Sequence, residues 1–386
     1  MNNIFDEFKS SKARSFSFNQ DFSMFSMATE RGFKIYPTYP NSEYYEKNLH
    51  GGLSKCEMNY NSNFLALVGG GRLPKYNNKK VVIYNDEEER IECEFKFTTK
   101  VINVKFKDNL LFIVCEKKIY VFDVETSQNI DSFETTSNKR GIIAVNGSKN
   151  KTIMAHPIEF EDKPDKGYVG IKNYKTKKYF PLLVHEEPIS YMEMDYYGLL
   201  LATANDKGTI VRIHSCGDKT LLYECRRGKD KTVINFISFD IDYKYIGLSS
   251  EKGTIHIWKL DEIIEKNLIK RNTVCVGGNR KVIANSTKND FVSIEKDQNN
   301  IIDEGNANES NAVIEKYRVK KIKNYKSETS FAKIKLNKNK CIFCFEPSDI
   351  VIIISSDEKY FFTHIDPKKG GYCLLTEGKN LTENSI

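Results

Sequence analysis

The stretch of sequence that decides the fold occurs twice. Residues 199–213 read LLLATANDKGTIVRI, and residues 244–258 read KYIGLSSEKGTIHIW. Each copy contains an apolar segment, a polar turn with Lys-Gly-Thr, and a second segment in which apolar residues alternate. Alternation with a period of two is typical of a half-buried β-strand, and glycine is typical of a tight turn. The two copies therefore predict a repeated hairpin of short strands.

Weaker copies of the second segment extend the repeat along the chain. They occupy residues 33–36, 81–84, 119–122, 169–172, 211–214, 255–258 and 360–363. Their starts lie 48, 38, 50, 42, 44 and 105 residues apart, so the last interval is more than twice any other. A period near 40–45 residues with several short strands per unit is typical of WD-repeat propellers. We therefore predict an all-β protein: one seven-bladed β-propeller over residues 1–386, with a long, partly disordered insertion in blade six.

The insertion is placed at residues 261–330. Its middle, KDQNNIIDEGNANESNA, is polar and of low complexity, which predicts disorder. Its end, IEKYRVKKIKNYK (314–326), carries six basic residues and one Glu. One interpretation is a solvated basic linker. The other is a segment that lies on an anionic membrane, with the interleaved side chains in contact with lipid: Tyr317, Val319, Ile322 and Tyr325.

Composition restricts the class of protein. Hydrophobic residues make up 40% of the chain and aromatic residues 12%, which is enough to bury a core and excludes wholesale disorder. The formal net charge of +7 permits an acidic partner without requiring one. The nine cysteines are scattered, and the longest aliphatic run, residues 350–354, is too short to cross a bilayer. We expect a cytosolic protein with free thiols.

Motifs for catalysis are weak. None of the six histidines lies in a metal-ligand motif, and Cys341-x-x-Cys344 is a lone pair that we expect to be buried in a strand. Gly69-Gly70-Gly71 lacks the Gly-Lys-Ser/Thr ending of a P-loop and is better explained as a turn. A propeller hydrolase would need converging carboxylates or a metal site. The sequence therefore predicts a protein that is not an enzyme and has no metal or cofactor.

Cys225-Arg226-Arg227-Gly228 lies between the fifth and sixth repeats and is the best candidate for chemistry. In an extended chain Arg226 would face blade five and Arg227 blade six. Guanidinium, hydroxyl and imidazole groups together suit a phosphomonoester. Nearby polar candidates are His185, Thr203, Asn205, Thr209 and Arg212 on blade five, and Ser249, Ser250, Thr254 and His256 on blade six. Alternatively, these groups serve hydrogen bonds within the blades and the arginines lie on the surface.

The motif and its flanks resemble the PROPPIN family, of the autophagy-related protein 18 and WIPI type. Beyond Arg-Arg-Gly, the resemblance includes Phe-Asn-Gln-Asp (18–21) with Gly-Phe-Lys-Ile-Tyr (32–36), and NFLALVGGG (63–71) followed by Pro74 and KVVI (80–83). It also includes Asp-Pro-Lys-Lys-Gly-Gly (366–371) in the last blade. The resemblance covers nearly the whole chain except the insertion.

The resemblance implies two headgroup sites, one on each side of Arg-Arg-Gly, for phosphatidylinositol 3-phosphate and phosphatidylinositol 3,5-bisphosphate. The first would contain Thr203, Asn205, Gly208, Thr209, Arg212 and Arg226; the second would contain Arg227, Ser249, Ser250, Thr254 and His256. Gly228 completes the motif, and His185 matches a family histidine that opens blade five. Cys225 departs from the usual Phe or Leu and is expected to pack inward, and Asn205 stands where many members have Ser.

The resemblance also implies a peripheral membrane protein that acts in autophagy-type recruitment, vesicle trafficking or organelle biogenesis. Its partners would be phosphoinositide-containing membranes and autophagy-type proteins, without nucleic acid, and the protein would be a monomer in solution. The target membrane would be endosomal, vacuolar or autophagosomal. Because the Asn- and Lys-rich insertion suggests an A/T-rich genome, a plastid membrane such as that of an apicoplast is a further option. The alternative function is a propeller scaffold that binds only proteins.

Overall fold

The computed structural model describes residues 13–39, 44–160, 163–260, 327–336, 340–376 and 378–381. In these residues thirty strands form seven sheets, one for each blade. In each blade the first four strands come in chain order and are antiparallel to their neighbours, and two blades carry a fifth strand that pairs in parallel. The predicted seven-bladed propeller is confirmed.

Blades one to four each contain four strands. Blade one has β1 (Ala13–Phe18), β2 (Met24–Thr29), β3 (Gly32–Pro37) and β4 (Tyr45–Asn48). Blade two has β5 (Leu53–Met58), β6 (Phe64–Gly69), β7 (Lys80–Asn85) and β8 (Arg90–Lys96). Blade three has β9 (Asn103–Lys107), β10 (Leu110–Val114), β11 (Lys118–Asp123) and β12 (Asn129–Glu134). Blade four has β13 (Ala144–Val145), β14 (Ile153–Ile158), β15 (Gly167–Asn173) and β16 (Tyr179–His185).

Blades five and six each carry a fifth strand. Blade five has β17 (Ile189–Met194), β18 (Leu200–Asn205), β19 (Ile210–Ser215), β20 (Leu221–Arg226) and β24 (Glu328–Thr329). Blade six has β21 (Ile234–Phe239), β22 (Tyr245–Ser250), β23 (Thr254–Lys259), β25 (Ala332–Lys335) and β29 (Gly371–Cys373). Blade seven has β26 (Cys341–Glu346), β27 (Ile350–Ser355), β28 (Lys359–His364) and β30 (Lys379–Asn380). All seven segments that define the sequence repeat lie on the third strand of their blade.

The core lies between the faces of adjacent blades. Strands such as β10, with the sequence LLFIV, are apolar on both sides because each blade is covered by two neighbours. Blades five and six share one cluster that includes the fully buried Cys225 and the nearly buried Trp258. Fully burying one such large apolar side chain contributes about 1.5–3 kcal/mol. Cys341 and Cys344 are buried in β26, as predicted.

Blades one and seven close the ring through side chains and loop contacts. Phe25 and Tyr36 stack with ring centroids 5.0 Å apart, in a cluster that also contains Tyr360 of blade seven. The Tyr36 hydroxyl donates to the Leu381 carbonyl at 3.2 Å, and the Tyr360 hydroxyl donates to the Thr38 carbonyl at 3.1 Å. The part of the chain described here contains no helix that could span a bilayer.

The insertion lies between β23 and β25 of blade six in the chain. Residues 261–326, which include Tyr317, Val319, Ile322 and Tyr325, lie outside the described residues. The predicted insertion includes residues 327–330, but the structure places them against the blades: β24 pairs with β20 of blade five in parallel. The sequence could not indicate this pairing, because it depends on the free edge of a strand about a hundred residues earlier in the chain.

Candidate functional site

Two similar turns connect the strands that carry the candidate residues. Gly208 and Gly253 adopt φ angles of 59° and 70°. Their N–H groups donate to the carbonyls of Asn205 and Ser250 at 2.9 and 3.0 Å. A Cβ atom at position 208 would lie 2.1 Å from the Thr232 carbonyl oxygen. The left-handed backbone and this close approach both require glycine there.

The first group of polar residues lies on one face of blade five. Thr203 pairs with Arg212, and Arg212 pairs with Glu224, so the three side chains form a row across β18, β19 and β20. His185 Nε2 lies 3.1 Å from Thr203 Oγ1 and 3.0 Å from the Thr203 carbonyl. The resemblance implies that His185 opens blade five. The structure instead places it as the last residue of β16 in blade four. Burial, with Arg212 nearby, lowers the pKa of His185 to about 3.

Two carboxylates, Glu224 and Glu187, border this group, and neither is among the candidates predicted from the sequence. Arg212 Nε donates to Glu224 Oε2 at 3.0 Å, and Arg212 Nη1 donates to the Val184 carbonyl at 2.7 Å. Asn205 Nδ2 donates to Glu187 Oε2 at 2.6 Å, while its Oδ1 accepts the Gly208 N–H at 3.2 Å. The side-chain amide of Asn205 therefore hydrogen-bonds both to the Gly208 turn and to the Glu187 carboxylate.

Arg226 ends β20, the fourth strand of blade five, and is exposed. Strand alternation puts its side chain on the same face as Glu224, opposite the buried Cys225. Its Nε donates to Ser327 Oγ at 3.0 Å, where the chain returns from the insertion. Cys225 packs inward, as predicted.

Arg227 is nearly buried, with 9% of its surface exposed. Its Nε donates to the Gly208 carbonyl at 2.6 Å, its Nη2 donates to the Asp230 carbonyl, and its backbone N–H donates to the Thr209 carbonyl at 2.9 Å. Desolvation lowers its pKa. The side chain thus braces the turn of blade five. Gly228 follows in an open position, where an added Cβ would meet no atom within 4 Å.

The second group lies on the face of β23 that is turned toward blade five. Thr254 and His256 share this face with Trp258, which belongs to the core between the two blades. His256 Nδ1 lies 3.2 Å from Ser330 Oγ. Burial lowers the pKa of His256 to about 4, and the charges of Lys333 and Arg227 add to this effect.

Ser250 and Ser249 have different environments. The Ser250 hydroxyl is buried and has no hydrogen-bond partner among the described residues. By alternation from Leu248, which packs in the core between blades five and six, it lies on the same face as His256. Ser249 points the other way, and its Oγ donates to the Cys341 carbonyl of blade seven at 3.2 Å. The sequence predicts Ser249 in the second group, but the structure places it on the opposite face of β22.

Residues 12–290 match the PROPPIN family model. This chain belongs to the PROPPIN family. It is 29% identical over 246 residues to autophagy-related protein 18 of Dictyostelium discoideum, covering 64% of each chain. It is 30% identical over 296 residues to autophagy-related protein 18 of Debaryomyces hansenii, covering 67% of this chain and 53% of that one. The match thus spans between about half and two thirds of the length of these relatives.

Solved propellers have the same fold as this PROPPIN. Kluyveromyces lactis Hsv2 with its complete loop 6CD aligns with a TM-score of 0.68 at 17% identity, covering 96% of this chain and 100% of that one. KlAtg21, in a complex with the coiled coil of AgAtg16, aligns with a TM-score of 0.67 at 18% identity, covering 96% and 99%. At such identities the likeness establishes the fold.

Together, the two groups of this PROPPIN combine guanidinium, imidazole and hydroxyl groups on both sides of the strand that ends at Arg226. Three further residues contact them: Ser327 at Arg226, Ser330 at His256, and Lys333, which pairs with His256 across β23 and β25. Only the register of β25 against β23 shows that Lys333 lies beside His256. Such donors are suited to an anion that carries several oxygen atoms.

Proposed function

We propose that this PROPPIN is a non-enzymatic peripheral membrane protein that binds phosphatidylinositol 3-phosphate and phosphatidylinositol 3,5-bisphosphate at two sites. The observation that carries the proposal is the placement of consecutive arginines on different sides of one strand end, each with its own set of donors.

The first site is formed by Arg226 with Thr203, Thr209, Arg212 and the Gly208 turn. A guanidinium has five N–H donors, and the contact with Ser327 engages one of those on Arg226. Because Arg226 is exposed, a phosphate reaches it without displacing packed side chains. The carboxylates of Glu187 and Glu224 oppose a highly charged ligand and limit affinity at this site.

The second site is formed by Arg227, Ser250, Thr254 and His256. With a pKa of about 4, His256 is neutral at pH 7 before ligand binds. Its Nδ1 faces Ser330, which leaves Nε2 to meet a phosphate oxygen. A bound phosphate dianion stabilises the imidazolium form, so binding raises the pKa of His256 from this low starting value. The unpartnered Ser250 hydroxyl supplies a further donor.

The cellular role we propose is recruitment of autophagy-type proteins to endosomal, vacuolar, autophagosomal or plastid membranes. The similarity to autophagy-related protein 18 supports the pathway, and the complex of KlAtg21 with the AgAtg16 coiled coil supports a protein partner of that type. The insertion, through Tyr317, Val319, Ile322 and Tyr325, is proposed to add a membrane contact.

Vesicle flotation tests this function. Wild-type protein is expected to float with neutral vesicles that contain either 3-phosphorylated lipid, and not with vesicles that contain phosphatidylinositol or its 4-phosphate. Arg226→Thr is expected to reduce flotation strongly. Arg90→Thr is the matched control, because it removes the same charge from an exposed side chain of blade two. Equal flotation of Arg226→Thr and wild type would contradict lipid binding at this site, and failure of wild type to float would leave a protein scaffold as the function.

A further inference from the structure

The outer edge of blade six carries two large apolar side chains that the fold does not bury. Residues 371–375, called here the rim segment, run along β25 and include β29. Tyr372 is 73% exposed and Leu374 is 89% exposed. Cys373 and Leu375 point inward and pack against the core between blades six and seven. The alternation therefore gives the segment one packed face and one apolar outward face.

The outward face of the rim segment continues the second group of polar residues, which contains His256. His256 pairs with Lys333 across β23 and β25, and Lys333 pairs with Tyr372 across β25 and β29. Lys333 Nζ lies 5.8 Å from the centre of the Tyr372 ring. The three side chains form one row, so Tyr372 lies two strands outward from His256 on the same face of blade six.

The surroundings of the rim segment are basic. Lys333 and Lys335 alternate on β25 and share the face of Tyr372. The turn that leads into β29 exposes Lys368 and Lys369, whose N–H groups donate to Asp366 Oδ1 at 2.9 and 3.0 Å. Apolar side chains flanked by lysines favour the interface of an anionic membrane, where rings and aliphatic groups enter below the phosphates.

We infer that Tyr372 and Leu374 enter the bilayer interface when the headgroup sites are occupied, as a rigid membrane contact built into blade six. The inference rests on the proposed function. A peptide-docking pocket is the competing occupant, because the same side chains line a cavity of about 300 Å³ with Phe362 and His364. Leu374 borders that cavity but is 89% exposed, so most of its side chain faces solvent, which favours a lipid surface.

Partitioning of the full chain to vesicles tests the inference. On neutral vesicles with phosphatidylinositol 3-phosphate, the double variant Tyr372→Ser/Leu374→Ser is expected to bind about tenfold more weakly, both at 0.1 M and at 0.5 M salt, because salt does not screen apolar contacts. Ile91→Ser/Ile130→Ser, which removes two apolar side chains that are 43% and 46% exposed on blades two and three, is the control and is expected to bind as wild type does.

Two measurements separate the rim segment from the headgroup sites. Affinity for a soluble, short-chain phosphatidylinositol 3-phosphate is expected to be unchanged in the double serine variant. The chain has one tryptophan, and Trp258 is buried, so Tyr372→Trp adds an exposed reporter. Vesicles are expected to shift its emission to the blue, and brominated lipids to quench it, whereas Ile130→Trp does not respond.

Wild-type partitioning by the double serine variant, or an unquenched reporter on bound protein, would overturn the inference while leaving the headgroup sites intact. A loss of soluble-lipid affinity in that variant would also overturn it, because the segment would then act through the sites. If wild type does not bind the vesicles at all, the proposed function fails first, and the inference fails with it.

Discussion

Replacing the two arginines one at a time is expected to separate stability from ligand binding. Arg227 makes charge-assisted hydrogen bonds to the carbonyls of Gly208 and Asp230 in a nearly buried position. Each such bond contributes about 1.5–3 kcal/mol, and removing the donor leaves a buried carbonyl without a partner. Because the Asp230 side of the turn can regain water, we expect Arg227→Thr to lower the free energy of unfolding by about 2–4 kcal/mol.

Replacing Arg226 is expected to leave the free energy of unfolding almost unchanged. Its side chain is exposed, and within the part of the chain that the structure describes it donates one hydrogen bond, to the Ser327 hydroxyl. Exposed substitutions of this kind change stability by about 0.5 kcal/mol or less. Arg226→Thr should therefore unfold like wild type and still lose headgroup affinity, whereas Arg227→Thr should lose both.

Urea unfolding followed by Trp258 fluorescence provides the measurement. Trp258 is the one tryptophan of the chain and lies in the core between blades five and six, so its emission reports this part of the fold. Arg227→Lys is the matched control, because it keeps the charge and loses the planar fork of donors. It should fall between wild type and Arg227→Thr. Equal stability of the Arg226→Thr and Arg227→Thr variants would refute the proposed division of roles.

Three further outcomes are expected. Gly208→Ala should destabilise the protein by more than about 1 kcal/mol in thermal unfolding, because its φ of 59° disfavours a side chain, whereas Gly228→Ala should be neutral. Burial lowers the pKa of His214 to about 3, so His214 stays neutral in the folded protein while it becomes protonated in the unfolded chain below pH 6.5. This difference lowers the free energy of unfolding by about 2 kcal/mol at pH 5, and His214→Gln should reduce the total loss of stability between pH 7 and pH 5 by about that amount. Glu224→Gln keeps an acceptor for Arg212 and removes a charge, so headgroup affinity in a titration should rise about two- to fivefold at low salt and not at 1 M salt.

The features predicted correctly from the sequence depend on residues that are close together in the chain. The two Lys-Gly-Thr turns fix the hairpins, and alternation of apolar residues fixes which side of each strand faces a neighbouring blade. The same alternation separates Arg226 from Arg227. Applied to Ser249 and Ser250, it would also have shown that adjacent serines in one strand cannot serve the same site.

The parts that sequence missed depend on contacts between distant segments. Glu224 became part of the first group only through its register with Arg212, and Lys333 joined the second group only through its register with His256. The contact of Ser327 with Arg226 spans the insertion. His185 was assigned to the wrong blade because the boundary between two blades has no composition signal, and its role follows from its approach to Thr203.

Titration of a soluble, short-chain phosphatidylinositol 3-phosphate into the full chain tests the central claim of two headgroup sites most directly. We predict two ligands per chain for wild type, one for Arg226→Thr, and one for His256→Ala, with the lost site differing between the two variants. The combined variant should bind none. A single ligand per wild-type chain, or two ligands retained in Arg226→Thr, would contradict the assignment of separate sites to the two sides of the Arg-Arg-Gly motif.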